Sequence, residues 1–258
     1  MDFKQKERYG FDDLLQIMKL LRAPDGCMWD REQDHHSIRR NFIEETYEAV
    51  EAIDNEDSDL LKEELGDVLL QVVFHAEIES EKGVFDIHDV ADGVCKKLIF
   101  RHPHIFGDTK VSSTGEILDN WDTLKKTEKH QQSAADTLDS VARSLPGLIR
   151  ADKLVSKAAK AGFDWDSVDG ALGKVHEELG ELEAAIREGT NTEEELGDLL
   201  FAAAGIARFV GCDPEAAIAK SSEKFISRFR RVEELAQGRP LGELALDEIV
   251  TLWNTAKQ

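Results

Sequence analysis

One acidic pattern occurs twice in this chain, about half its length apart, and it restricts the fold more than any other feature. The first copy is Glu44-Glu45-x-x-Glu48 followed by Glu64-x-x-Asp67; the second is Glu177-Glu178-x-x-Glu181 followed by Glu195-x-x-Asp198. Residues three apart share a helix face, so each copy supplies two helices with two carboxylates on one side. Four converging carboxylates repel one another unless a cation sits between them. A cluster built from oxygen ligands alone, without His or Cys, suits a hard ion, Mg²⁺ first. The pattern therefore predicts paired helices around a metal and points to metal-assisted phosphate chemistry.

The surrounding sequence reads as helix almost throughout. In 38–54, Ile38, Phe42, Ala49, Val50 and Ile53 fall near one stripe, and in 60–81 Leu61, Leu65, Val68, Leu69, Val72 and Val73 continue it. Gly83 is a stop signal, and Asp86 starts a further helix to about residue 100. The second half repeats the order over 169–187 and 192–211, and Asp213-Pro214 then caps a helix running towards 237. Strand signals are poor, because period-two alternation is never sustained. The repeat extends beyond the acids. Trp29-Asp30 precedes the first block as Trp165-Asp166 precedes the second, and Lys97-x-x-x-Arg101 follows as Lys224-x-x-x-Arg228 does. The expectation is an all-α fold of two tandem helical-bundle domains. The first spans 1–125, a polar linker 126–150, and the second 151–258, with a helix over 113–129 near the join. Neither unit has enough helices for a large core, so the bundles should be completed by a second subunit, giving a homodimer.

Charge and composition exclude several classes. The net charge of −21 leaves no broad basic surface for a nucleic-acid polymer or an anionic membrane. Cys27, Cys95 and Cys212 are widely spaced and form neither a zinc nor a disulfide framework. The first seven residues lack the apolar core of a signal peptide, and the apolar runs are too short to span a bilayer. The chain is read as soluble and cytoplasmic.

With 53 acids in 258 residues, one Glu-Glu-x-x-Glu would signify only a solvated helix face; its recurrence with a Glu-x-x-Asp partner outweighs that reading. Thr192 and Glu195 also fit a helix capping box, which would give Glu195 a purely structural task. Gly66 and Gly197 each precede the last Asp of a copy, inside a helix, where Gly costs roughly 1 kcal/mol relative to Ala. That implies close approach of a ligand or simply tight helix packing. Lys224 and Arg228, one turn apart, suit phosphate, as do Lys97 and Arg101. Lys174 lies one turn before Glu178, whereas Asn41 holds the equivalent place in the first copy.

Taken with Gly26-Cys27-Met28-Trp29-Asp30, Arg101-His102-Pro103-His104, Ser144-Leu145-Pro146, Gly162-Phe163-Asp164-Trp165 and Glu223-Lys224-Phe225, the acidic blocks resemble the MazG family of all-α nucleoside triphosphate pyrophosphohydrolases. The likeness covers nearly the whole length and is to the tandem, two-domain form. It implies Mg²⁺-dependent cleavage of nucleoside triphosphates to monophosphate and diphosphate, with Mn²⁺ as a substitute ion and a water activated by the metal attacking the α-phosphorus. It also implies a dimer, broad base tolerance and a role in house-cleaning or nucleotide-pool control. Carried over by motif, Glu178, Glu181, Glu195 and Asp198 are the metal ligands and catalytic acids, Lys174, Lys224 and Arg228 meet the phosphates, and Trp253 lies near the base. Glu45, Glu48, Glu64 and Asp67, with Lys97 and Arg101, form a second candidate set in a mainly structural first domain. Ser222 stands where that resemblance expects Asn. The preferred base, any toxin–antitoxin or regulatory partner, and the carboxylate that activates water stay open. A nucleotide-binding module without turnover is the alternative reading; Glu32-x-x-His35 also resembles half of a di-iron motif but occurs once, outside the repeated acids.

Overall fold

In the computed structural model, residues 3–129 and 131–257 are described; Met1, Asp2, His130 and Gln258 lie outside them. The described residues contain helices and no strand, and the chain divides into two compact units, Met1–Leu124 and Lys125–Gln258.

In the first unit, α1 (Phe11–Arg22), the short α2 (Met28–Glu32), α3 (Arg39–Asp54), α4 (Ser58–Glu81), α5 (Ile87–Arg101) and α6 (Pro103–Phe106) follow in order. The three residues between α3 and α4 make these two helices antiparallel neighbours, and they form the main pairing of the unit. Asp57 starts α4 by accepting hydrogen bonds from the amides of Asp59 and Leu60, and Asp86 starts α5 in a capping box with Asp89. Gly83, at φ +70°, takes the left-handed turn after α4 that a side chain would resist. The core is Met18, Ile38, Val73, Phe74 and Ile78, with Leu14, Leu15, Leu70 and Ile87 packed around it. Arg22 ties α1 to the end of α4. Its guanidinium donates to both Glu81 oxygens at 2.6 and 2.8 Å and lies over the Phe74 ring at 5.3 Å. A bidentate pair of this kind fixes orientation as well as distance, so α1 closes one side of the α3–α4 pair.

α7 (Thr114–Glu128) runs through the division between the units, near the expected helix at 113–129. The stretch expected as linker is about half helical: it carries the end of α7, α8 (Ala134–Asp139) and the start of α9 (Gly147–Lys160). α10 (Val168–Glu188) and α11 (Thr192–Val210) form the second unit's main pairing, and α9 packs on α11. α12 (Pro214–Leu235) packs on α9 and on α13 (Leu246–Thr255), after a 3₁₀ turn at Leu241–Glu243. Asp213 and Pro214 begin α12 as expected; the Asp213 carboxylate accepts from the amides of Glu215 and Ala216. Buried positions on α9, α10 and α11 are mostly alanines, namely Ala151, Ala171, Ala185, Ala204 and Ala207. Small side chains bring helix backbones close but leave little volume between them.

Candidate metal and phosphate site

In the second unit, Glu178 and Glu181 on α10 and Glu195 on α11 each place a carboxylate oxygen within 4.8 Å of the other two. The helical repeat supplies this. Residues 178 and 181 are one turn apart, and the antiparallel pairing brings the first turn of α11 alongside. Glu178 is 6% exposed. One of its oxygens lies 2.6 Å from the Lys174 ammonium, which also reaches Glu177 at 2.8 Å. The other Glu178 oxygen, Oε2, is buried and has no hydrogen-bond partner among the described residues. Proton sharing with Glu178, and then the charge of Glu178, push the Glu181 carboxyl above the usual range. Hydrogen bonds to Glu177 and Glu178 hold the Lys174 ammonium well above its ordinary value. Asp198, one turn beyond Glu195, joins Lys174 and Glu178 in the lining of an adjacent groove.

The first unit repeats the trio with Glu45 and Glu48 on α3 and Glu64 on α4, again within 4.8 Å. Here no lysine enters, because Asn41 occupies the register of Lys174. Burial, followed by the charges of Asp67 and Glu48, raises the Glu45 carboxyl. Burial first, and then Glu48 and Asp67, does the same to Glu64. At Glu181, Glu45 and Glu64 the crowding of like charges thus disfavours the ionised form.

Two local expectations are corrected. Thr192 does not cap α11. It is the first helical residue, preceded by Asn191 in the left-handed region at φ +48° with no side-chain capping bond. The tight link through Gly189, at φ +68°, shifts the helix start back by one residue, and Glu195 is left for the acid trio. Packing within the chain does not call for Gly66 or Gly197 either: a Cβ at each would meet no atom of another element within 4 Å.

The cationic residues lie on other elements. Lys224 and Arg228 are on α12, with no ion pair to the acid trio among the described residues. Lys97 is exposed on α5, and Arg101 stacks over Trp121 at 5.3 Å. Trp253 on α13 packs against Phe225 of α12, with ring centroids 5.2 Å apart.

Sequence reasoning missed a groove of about 640 Å³ beside the second trio. Its lining includes Trp165, Phe201, Ala202, Gly205 and Arg208, together with Lys174, Glu178 and Asp198. Arg208 donates to both carboxylate oxygens of Asp164, one at 2.8 Å, which anchors the loop carrying Trp165. The Gly162-Phe163-Asp164-Trp165 stretch was visible in sequence, but nothing there linked it to Arg208.

The donor set fits a hard divalent cation. Every candidate ligand is a carboxylate oxygen, the oxygens already converge, and the buried, partnerless Glu178 Oε2 is an acceptor that a cation would satisfy. The MazG nucleotide pyrophosphohydrolase domain matches this chain twice, at residues 33–106 and 168–232, each match enclosing one acidic copy. The chain belongs to the MazG family. One match lies within each helical unit. The chain is 43% identical to a nucleoside triphosphate pyrophosphohydrolase/pyrophosphatase MazG of Thermotoga maritima, over 96% of this chain and 95% of that protein. It is 41% identical to a nucleoside triphosphate pyrophosphohydrolase of Escherichia coli K12, over 96% and 97%. An uncharacterized Bacillus subtilis protein, YabN, is 45% identical over 97% of this chain and 52% of its own length.

Proposed function

We propose that this MazG protein hydrolyses nucleoside triphosphates to the monophosphate and diphosphate with Mg²⁺, through its second unit. The observation that carries the reading is the buried Glu178 carboxylate, which is clustered with Glu181 and Glu195, pinned on one side by Lys174 and partnerless on the other. The names of the two full-length relatives support the activity. Glu178, Glu181, Glu195 and Asp198 would hold the ion, which would supply charge neutralisation and a more acidic water. Glu181, clustered with Glu178 and Glu195, is the carboxylate we assign to take the proton of the water that attacks the α-phosphorus. Lys174 stands at the edge of the trio, where an ammonium offsets charge growing on the diphosphate leaving group. The test is hydrolysis in ¹⁸O-labelled water with Mg²⁺. The reading requires label in the nucleoside monophosphate and unlabelled diphosphate; nucleoside diphosphate with labelled orthophosphate refutes it.

The first unit lacks an equivalent of Lys174, so we assign it to assembly and to metal or nucleotide binding without efficient turnover. Apolar side chains exposed on the paired helices, including Val50 and Leu65 in the first unit and Leu196 and Leu200 in the second, support completion of the bundles by a second copy. The three cysteines are unpaired, and no helix of the described residues is long and apolar enough to cross a membrane. Both fit the cytoplasm, where we place the protein with a role in nucleotide-pool control.

A further inference from the structure

The loop between α9 and α10, residues 161–167, is fixed at both ends by local hydrogen bonds and in the middle by one ion pair. At its start Gly162 takes φ +91° and the Phe163 amide donates to the Ala158 carbonyl at 3.0 Å. At its end the Ser167 side chain caps α10 by accepting from the Gly170 amide. Phe163 and Trp165, between these points, are 85% and 51% exposed, so burial does little to hold the stretch. The ion pair supplies what burial does not. The Arg208 guanidinium donates to both oxygens of Asp164, one at 2.8 Å, and rests on the Phe209 ring at 4.1 Å. Its Nε is buried without a partner, so among the described residues its hydrogen bonds go to Asp164 alone. A bidentate pair sets orientation as well as distance. The same carboxylate accepts the Trp165 amide at 2.7 Å, which passes that orientation to the tryptophan. The Trp165 ring then lies over the first turn of α10, where a Cβ added at Gly170 would sit 3.2 Å from it.

We propose that Arg208 and Asp164 are positioning residues for the reaction of the second unit. They latch the loop so that Trp165 stands as a preformed wall of the groove it shares with Lys174, Glu178 and Asp198. The inference rests on the pyrophosphohydrolase reading and deepens it. A wall set before substrate arrives spares each binding event the cost of ordering the loop. The latch therefore acts on substrate capture, not on the metal ligands. It is also not part of the duplicated scaffold. Matching Asp198 to Asp67 puts Arg208 in the register of Glu77, and matching Trp165-Asp166 to Trp29-Asp30 puts Asp164 in the register of Met28. The first unit holds its corresponding loop from α1 instead, where Arg22 donates to the backbone carbonyls of Asp30 and Gln33. The side-chain latch across the loop thus occurs in the unit that also carries Lys174 beside its acid trio.

The test is a double-mutant cycle on the full chain, with Arg208→Met, Asp164→Asn and the two combined, beside Arg208→Lys, which keeps the charge without the fork. KM and kcat are measured for ATP with Mg²⁺, and the rise in melting temperature is measured with Mg²⁺ alone. Each single variant should raise KM roughly tenfold and leave kcat within about twofold. The combined variant should be no worse than either single one, because one interaction is lost in all three. Arg208→Lys should resemble Arg208→Met, and every variant should keep the wild-type Mg²⁺ shift. Unchanged KM in both single variants overturns the inference. So does a KM rise in Arg208→Met with none in Asp164→Asn, which would mean that Arg208 meets the substrate directly. Additive losses in the combined variant, full recovery in Arg208→Lys or a lost Mg²⁺ shift also overturn it. Should circular dichroism show that Arg208→Met loses helix, Asp164→Asn and Arg208→Lys decide. Wild-type protein that releases no monophosphate and diphosphate refutes the underlying activity instead, and the latch's role with it.

Discussion

Neutralising Glu178 separates a catalytic role from a structural one, because the two readings give opposite signs for the metal-free protein. Glu178→Gln keeps the shape and removes one charge from a trio held within 4.8 Å. Without a cation, that change relieves repulsion with Glu181 and Glu195. Lys174 retains Glu177 at 2.8 Å. The metal-free variant should therefore melt no lower than wild type, although the residue is buried. With Mg²⁺ the order reverses. A ligand present at 100 times its Kd stabilises the folded state by about 2.7 kcal/mol; if the substitution weakens binding about 100-fold, the same concentration gives only about 0.4 kcal/mol. Turnover should fall on the order of 10²–10³-fold, the usual cost of losing one preorganised electrostatic group. The assays are thermal melts with and without Mg²⁺ and release of diphosphate. Near-normal turnover refutes the reasoning. So does a variant that is inactive yet keeps the full Mg²⁺ shift, or one that melts several degrees lower without metal.

The division of labour predicts that Glu45→Gln with Glu48→Gln leaves most turnover intact, whereas Glu178→Gln with Glu181→Gln abolishes it. Light scattering on each pair checks that assembly is unchanged, and loss of activity from the first pair alone in an intact dimer counts against the assignment. His75 gives a pH dependence that arises away from the acid trios. Its ring nitrogen lies 2.7 Å from that of His35, and burial, followed by the charge of His35, depresses its proton affinity below the ordinary histidine value of 6.5. A folded-state pKa below the unfolded one contributes stability above the unfolded value and loses it as pH falls through the folded value. Urea midpoints should therefore drop from pH 7.5 to 5.5, and less steeply in His75→Gln; equal slopes would remove His75 as the cause. Asp213→Ala removes the acceptor for two amides at the start of α12 and should cost about 1 kcal/mol by urea unfolding, with no change in diphosphate release per folded molecule.

The sequence alone determined what depends on short separations along the chain. Helix period places 178 beside 181 and 195 beside 198, so the carboxylates were assigned to common faces without coordinates, and duplication made the assignment hard to dismiss as chance. Caps followed the same logic. Asp57, Asp86 and Asp213 act within three residues of themselves, although at Thr192 two left-handed residues moved the start of α11 by one position. The tertiary structure decided what depends on distant neighbours. Burial of one Glu178 oxygen requires the second unit's helices to close around it, and the latch from Arg208 to Asp164 spans 44 residues. The groove likewise gathers residues far apart in sequence, with Leu154 and Val155 of α9, Ala171 of α10 and Gly205 of α11 in one lining. A periodic pattern records which side of a helix a residue occupies. Whether the space on that side is filled depends on the volumes of side chains contributed by other helices, and no local window of sequence contains that information.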